Sequence, residues 1–257
     1  MGSDAFETTS GSQRIVGLQE GILLENGIQL RPESMILDFG CGSGRHTYEH
    51  LDHGYQNVFG YDIRDYVSLR DPADSVRFRF DTEAQITHIP FPDDHFDFVF
   101  STSVFEHVVE PERALREIYR VLKPGGVSLH NFPSKWRPIE PHIYVPFGAA
   151  FKSYGFYLFW AALGIRNEYQ KGKSASEVAK LNQNYAKTGL NYPSGREIDR
   201  MFLKCFDWFQ SEEIAYTKHS PGRSRALYPL LKCFPFLAYF YRQLHTRVVL
   251  VGKNPAA

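Results

Sequence analysis

The sequence predicts an α/β fold built on a doubly wound, mostly parallel sheet, and three features of its first half carry that expectation. Short apolar runs alternate with stretches of helical periodicity between Met35 and Asn131, the order that feeds a parallel sheet through right-handed crossovers. The first run leads into Gly40-Cys41-Gly42-Ser43-Gly44, with glycine at every second position. Three successive runs close on acids: Asp38, Asp62 and Asp81. In such a sheet the carboxyl ends of the strands face one crevice, so loop and acids gather around one ligand.

Along the chain, residues 14–26 place Ile15, Leu18, Ile22 and Leu23 on one face of a helix. Gly27 and Pro32 punctuate the approach to the first strand, 35–39, and a helix is expected over 45–51 after the glycine loop. Strands follow at 57–61, closed by Asp62, at 76–80, ending at Asp81, and at 96–101. The run Phe96, Phe98, Val99, Phe100 in the last suits a strand buried on both faces. Pro111 stands where a helix favours its first residue, and Ala114, Leu115, Ile118 and Leu122 continue at helical spacing. Lys123-Pro124-Gly125-Gly126 stops that helix before a fifth strand at 127–131.

Past Phe132 the rhythm breaks. Residues 141–165 are aromatic and nearly uncharged, with only Lys152 among them. Helices are expected at 176–187 and 194–204, short strands at 206–209 and 213–216, and a final strand at 247–251. Residues 227–244 form a second aromatic segment, basic and free of acids. The expected organisation is one domain over 14–257, with a ligand-binding half at 31–133 and an elaborated half at 134–257 that covers the crevice and completes the sheet.

A chain of 257 residues accommodates one large α/β domain with insertions. Its formal net charge of zero argues against a general nucleic-acid binder. The balance is uneven, because after Glu213 only cations follow: Lys218, Arg223, Arg225, Lys232, Arg242, Arg247 and Lys253. Cys41, Cys205 and Cys233 lie far apart and fit a reducing, cytoplasmic setting rather than a disulfide framework. Residues 1–13 are rich in Ser, Thr and Gly and expected to be disordered. They lack the apolar core of a signal peptide, and Phe6 stands where a myristoylation motif needs Ser or Thr.

Asp62 lies about twenty residues beyond the glycines, the distance at which a second-strand acid accepts both hydroxyls of a ribose. Asp81-Thr82 is placed for a nucleobase amino group. A dinucleotide-dependent dehydrogenase is excluded, because Gly44 arrives one residue too early for GxGxxG. The ordered set Leu37-Asp38-Phe39-Gly40-Cys41-Gly42-Ser43-Gly44, Gly60-Tyr61-Asp62, Pro90-Phe91-Pro92-Asp93-Asp94-His95-Phe96-Asp97, Phe105-Glu106-His107-Val108 and Leu122-Lys123-Pro124-Gly125-Gly126 resembles a class I S-adenosylmethionine-dependent methyltransferase. Within that class it is similar to the small-molecule branch that includes quinone-biosynthesis methyltransferases, over roughly residues 31–133.

The resemblance implies a seven-stranded Rossmann-like sheet and S-adenosyl-L-methionine as cofactor. It implies that the backbone of Gly40, Cys41, Gly42 and Gly44 lies against the methionine portion, with Asp38 holding that end directly or through water. Asp62 would take the ribose hydroxyls, Ile63 would pack on adenine, and Asp81 with Thr82 would meet the adenine amino group. Glu83 is the alternative adenine partner, since the stretch from Asp81 to Pro90 is longer than usual in this branch. The Ser101 carbonyl would accept from the cofactor ammonium. Some quinone-type relatives hold a divalent metal on an acidic cluster near the Glu-His pair. Here Ser103 replaces one acid, leaving Glu106, His107 and Glu110, and no metal is expected.

A hydroxyl acceptor must lose a proton, and histidine is poised for that near neutrality. His107, just beyond the fourth strand, is the first candidate and His142 the second; His130 falls inside a strand and is expected to be structural. The expected activity is methyl transfer to a small-molecule, saccharide or lipid-linked acceptor, most simply at oxygen. The alternative is a non-catalytic cofactor-binding module that regulates or scaffolds a partner. Prolines, glycines and tyrosines in 141–165 argue against a membrane span; the segment is expected to form a lid over an apolar or sugar acceptor, or else an aromatic core under an irregular cap. The basic, aromatic 227–244 segment is a candidate for contact with anionic lipid, or else for a homodimer interface or ordinary core.

Overall fold

A computed structural model describes residues 14–81 and 88–256. Its strands are β1 (Met35–Phe39), β2 (Asn57–Asp62), β3 (Phe78–Phe80), β4 (Phe96–Thr102), β5 (Leu122–Pro133), β6 (Trp208–Ser211) and β7 (Thr246–Gly252). They form one seven-stranded sheet in the order β3-β2-β1-β4-β5-β7-β6. The first five run parallel, and β7 is antiparallel to both β5 and β6. The chain reverses direction across the sheet between β3 and β4, so the crevice opens beside β1 and β4.

Alternation along the strands builds two apolar layers. Leu37, Phe39, Phe132, Val249 and Val251 face one side, where α3 (Pro111–Val121) and α6 (Gly195–Cys205) pack. Ile36, Phe98, Phe100, Leu129, Val248 and Leu250 face the other, beneath α1 (Arg14–Glu25) and α7 (Glu213–His219). With both faces covered, the central strands read as nearly continuous apolar runs. α2 (Arg45–Asp52) follows the glycine loop.

Two corrections to the expected elements have physical causes. Residues 213–216 belong to helix α7, not a strand: Ile214 and Tyr216 alternate in sequence as in a strand, but the residues the helix buries are Glu213, Ala215 and Thr217. The Glu213 carboxylate accepts from the Val248 amide and ties the start of this helix to β7. The third strand keeps only its last three residues, because Pro72–Arg77 form a 3-10 helix whose cap, Asp71, accepts from the Ala73 amide. The strand expected at 206–209 begins two residues later, at Trp208. The expected disorder of residues 1–13 lies outside the described residues.

Between β5 and α6 an insertion builds its own small core. Helices α4 (Tyr154–Ala162) and α5 (Ala175–Thr188) enclose Ile143, Val145, Tyr157, Ala179 and Ala186. The buried Tyr157 hydroxyl donates to the Gly148 carbonyl at 2.6 Å. Capping boxes at Ser174/Glu177 and Ser194/Glu197 fix where α5 and α6 begin. Helices α8 (Tyr228–Cys233) and α9 (Leu237–Leu244) occupy the second aromatic segment. No described helix is long and apolar enough to cross a membrane.

His130 lies in β5, fully buried, with Ser101 Oγ and Ser128 Oγ each 2.8 Å from its two ring nitrogens. Ser128 donates its own proton to the Val99 carbonyl, so it accepts from His130 Nε2–H and leaves Nδ1 to accept from Ser101. Burial drives this imidazole's pKa down to about 3. Unfolded chain binds a proton below the ordinary value of 6.5 while the folded chain does not. Stability held above that value is therefore lost as pH falls toward the folded pKa, at about 1.4 kcal/mol per pH unit. Relative to His130→Gln, the wild type is expected to lose about 2 kcal/mol between about pH 7 and about pH 5. Urea unfolding of both proteins at the two pH values measures this, and a pH-independent difference would contradict the neutral buried ring.

Candidate active site

The glycine loop leaves β1 and opens α2. Gly40, Gly42 and Gly44 adopt φ of 79°, 51° and 80°, which disfavours any side chain at these positions. A Cβ on Gly40 would strike Val104 Cγ2 at 2.4 Å, whereas Gly42 meets no protein atom within 4 Å. The loop thus backs onto the protein at one glycine and presents bare backbone at the next. That open face is the cradle a close-lying ligand requires.

The expected acids surround this loop but differ in what they do. Asp62 accepts from the Gly42 amide at 2.8 Å through Oδ2, and the Arg64 amide lies 3.4 Å from Oδ1. Its pKa is raised chiefly by burial, against those amide bonds. Asp38 is buried and accepts from Thr47 Oγ1 at 2.9 Å; burial pushes it up to about 7. Asp38 thus pins α2 beneath the loop. Asp81 follows β3, with Tyr61 OH 3.3 Å from its Oδ2. Ile63 is half-buried beside Asp62, and Ser101 is buried near the end of β4 with its hydroxyl engaged by His130. The Cys41 thiol is buried beside Asp38 and Asp62, and desolvation raises its pKa well beyond the ordinary range. Thr82 and Glu83 lie outside the described residues.

Both catalytic candidates meet in space. His107 and His142 stand with ring centroids 5.1 Å apart at an interplanar angle of 76°. His107 Nδ1–H donates to the Gly189 carbonyl at 2.6 Å, leaving Nε2 as the acceptor. His142 Nδ1–H donates to Glu140 Oε1 at 2.7 Å, while Glu140 Oε2 also takes the amides of His142 and Ile143. Burial is the largest influence on both rings, and it holds His107 below the usual range. At His142 the Glu140 bond and charge, with Glu106, outweigh burial and raise the pKa. Opposite shifts on neighbouring groups are the pattern of an acid and a base sharing one task.

Glu106 completes the cluster. Its carboxyl is buried with neither oxygen hydrogen-bonded, and Oε1 lies 4.0 Å from His107 Nε2. Burial pushes it up to about 7. Atoms of Glu106, His107 and His142 lie within 4.8 Å of one another, a spacing at which three groups can ligate one divalent ion. The sequence pointed to the Glu-His pair but not to Glu140, although its place two residues before His142 was a usable signal. Gly189, at the end of α5, had none.

Beside the carboxyl ends of β4 and β5 lies a cavity of about 380 Å³, within the range of small-molecule sites. Arg45, His46, Ser103, Asn131, Arg137 and His245 contribute to its wall. Arg137 is half-buried, and its guanidinium has no hydrogen-bond or ion-pair partner among the described residues.

Comparison with known proteins agrees with this geometry. Residues 37–129 match the methyltransferase domain family. The chain is similar to sterol 24-C-methyltransferase of Schizosaccharomyces pombe, 34% identical over 103 residues, covering 38% of this chain and 27% of that protein. It is 29% identical over 188 residues to demethylmenaquinone methyltransferase of Symbiobacterium thermophilum, covering 68% of each. A solved S-adenosylmethionine-dependent methyltransferase from Mesorhizobium loti shares the fold, with TM-score 0.52, 17% identity and coverage of 94% and 98%. The chain spans about a third or less of the sterol methyltransferases it matches.

If Asp62 takes the ribose hydroxyls, Asp62→Ala is expected to weaken S-adenosylhomocysteine binding by about 1.5–3 kcal/mol, the worth of hydrogen bonds to a charged group. Calorimetry measures it, and unchanged affinity would remove the assignment. From the glycine loop to β5, residues 37–129 match the methyltransferase domain family, and the sheet order around them resembles that of class I S-adenosylmethionine-dependent methyltransferases.

Proposed function

We propose that this chain transfers a methyl group from S-adenosyl-L-methionine to a small acceptor whose attacking atom sheds a proton, a hydroxyl oxygen in the first instance. The observation that carries this reading is the His107–His142 pair, one imidazole held neutral and the other disposed to charge. When bound, the cofactor supplies an electrophilic methyl on a sulfonium, and the carbon–sulfur electrons return to sulfur as the new bond forms. The residues that would hold it are the Gly40–Gly44 backbone, Asp38, Asp62 with Ile63, Asp81 and the Ser101 carbonyl. The bare face of Gly42 fits that task.

His107 Nε2 takes the acceptor's proton, and the Gly189 carbonyl holds the ring in the tautomer that keeps this nitrogen free. His142 stands beside it with Glu140 as counter-ion. Much of the rate enhancement is positioning: orientation of the reacting atoms contributes on the order of 7–11 kcal/mol. The cavity wall of arginine, histidine and hydroxyl groups suits a polar acceptor such as a saccharide or phenol; His107 and His142 are not part of that wall, so an acceptor seated there meets His107 only by extending beyond it.

A second reading, transfer to an activated carbon, is favoured by the C-methyltransferase names of the sterol and quinone relatives. There the π electrons of the acceptor form the new carbon–carbon bond, and a base such as His107 takes the proton that carbon then sheds. Incubation with isotopically labelled methyl donor, cell extracts, and saccharide and phenol libraries separates the readings by whether the label appears as methoxy or carbon-bound methyl. S-adenosylhomocysteine binding without any labelled product would instead indicate a non-catalytic module.

With an acceptor in hand, His107→Ala is expected to lower kcat by about 10²- to 10⁴-fold, the usual worth of a positioned base, with S-adenosylhomocysteine affinity near normal. Turnover surviving intact would place the base elsewhere.

A further inference from the structure

We propose that the α8–α9 segment docks the enzyme on anionic lipid bilayers, with the acceptor cavity opening beside the docked face. Leu227, Leu230 and Phe234 around α8 are exposed. On α9, Phe236, Tyr239, Phe240 and Leu244 follow the i, i+3, i+4, i+8 spacing of one helical face, and all four are exposed. Phe236 alone is 65% exposed. The Phe234 and Phe236 rings meet at 6.2 Å, so the apolar surfaces of the two helices join at the turn between them. Leu231, Tyr241 and Arg242 are the residues that anchor the pair to the protein. Large exposed aromatics gathered in one segment mark an interaction surface rather than ordinary surface.

The charges identify the occupant. Of the seven cations after Glu213, Lys218 pairs with Glu25, Arg242 and Arg247 with Asp199, and Lys253 with Asp94. Arg223, Arg225 and Lys232, the three at the edge of the apolar surface, are exposed and have no ion-pair partner among the described residues. No acid lies anywhere in the segment. A second copy meeting this face about a two-fold axis would bring like charges together. An anionic headgroup layer neutralises them while the aromatic rings enter the interface.

The position of the segment ties docking to the cavity. Ser220, Pro221, Gly222 and Ser224, just before α8, and His245 and Thr246, just after α9, all line the cavity wall. Both ends of the docking segment therefore run into the rim. An acceptor held in the bilayer would reach the site without crossing water, which selects a lipid or lipid-linked molecule. This last point rests on the cavity being the acceptor site; the docking itself does not.

Co-sedimentation with vesicles tests the surface without any methyl-transfer assay. The full chain is expected to bind vesicles of phosphatidylcholine with phosphatidylglycerol at low salt. Binding should fall at least about tenfold on phosphatidylcholine alone, at high salt, or with Arg223→Glu, Arg225→Glu and Lys232→Glu combined. Phe236→Ser with Phe240→Ser should produce a similar loss, while circular dichroism and S-adenosylhomocysteine binding stay as in the wild type. No binding to anionic vesicles at low salt overturns the proposal, as does binding indifferent to both variants. A concentration-dependent dimer abolished by Phe236→Ser with Phe240→Ser, without vesicle binding, would also overturn it in favour of a second copy. Loss of methyl transfer with docking intact would count against the enzymatic reading alone.

Discussion

The hydrogen bond from the Gly42 amide to the Asp62 carboxylate is the constraint on which the crevice depends. It ties the loop leaving β1 to the end of β2, at the point where the loop has no side chain to hold it. The amides of Gly40 and Cys41 both reach the Tyr61 carbonyl at 2.8 and 3.1 Å, so three consecutive backbone donors point at the end of one strand. A glycine-rich loop loses more conformational entropy on ordering than any other, and these bonds oppose that loss. Asp38 secures the far side by taking the Thr47 hydroxyl from α2. The geometry in which a cofactor would lie is thus set by bonds within the protein before any ligand arrives.

The cluster around His107 and His142 is assembled differently. His107 follows β4, His142 and Glu140 lie in the insertion after β5, and the carbonyl that orients His107 comes from the end of α5. Asn191 adds a further link, with its amide on the Glu106 carbonyl at 2.7 Å and its side chain on the Val108 carbonyl at 2.6 Å. The insertion is therefore fastened to the loop after β4 by several bonds. Movement of the small α4–α5 core would carry His142 and the Gly189 carbonyl together, coupling the insertion to the orientation of the His107 ring.

Legibility in the sequence followed the same division. From Met35 to Asn131 each element is defined by a neighbour in the chain: a strand by its apolar run, the loop by its glycines, α3 by Pro111. The parallel half was accordingly readable, with β3 shortened because a capped 3-10 helix competes for its first residues. The acids lie near the ends of their strands as the sequence suggested, but their protein partners were not legible, since Thr47 and Gly42 become neighbours of Asp38 and Asp62 only after folding. In the second half, α7 looked like a strand because Ile214 and Tyr216 alternate along the sequence, whereas the helix packed against β7 buries Glu213, Ala215 and Thr217 instead. His107 and His142 were each identifiable by type and position, but their pairing is a tertiary fact.

Charge is distributed along the crevice in a way that neither half shows alone. At the glycine-loop end Asp38, Asp62 and Asp81 converge, and burial makes the Asp38 charge costly enough to lift its pKa to about 7. A cationic ligand at that end would relieve the mutual repulsion of Asp38 and Asp62, and the proposed cofactor carries both a sulfonium and an ammonium. Toward the cavity the sign reverses through Arg137 and Arg45 on the wall, while burial lowers the pKa of the neighbouring His46 and His245 imidazoles and keeps them neutral. Glu49 offsets part of this through its 3.0 Å pair with Arg45, which leaves Arg137 as the wall's half-buried cation without a partner among the described residues. An electron-rich acceptor gains from such a wall twice. It is drawn toward the cationic end of the cavity, and its attacking atom loses a proton more readily beside positive charge. The polarity that would receive a cationic methyl donor at one end thus favours an acceptor with anionic or ionisable groups at the other.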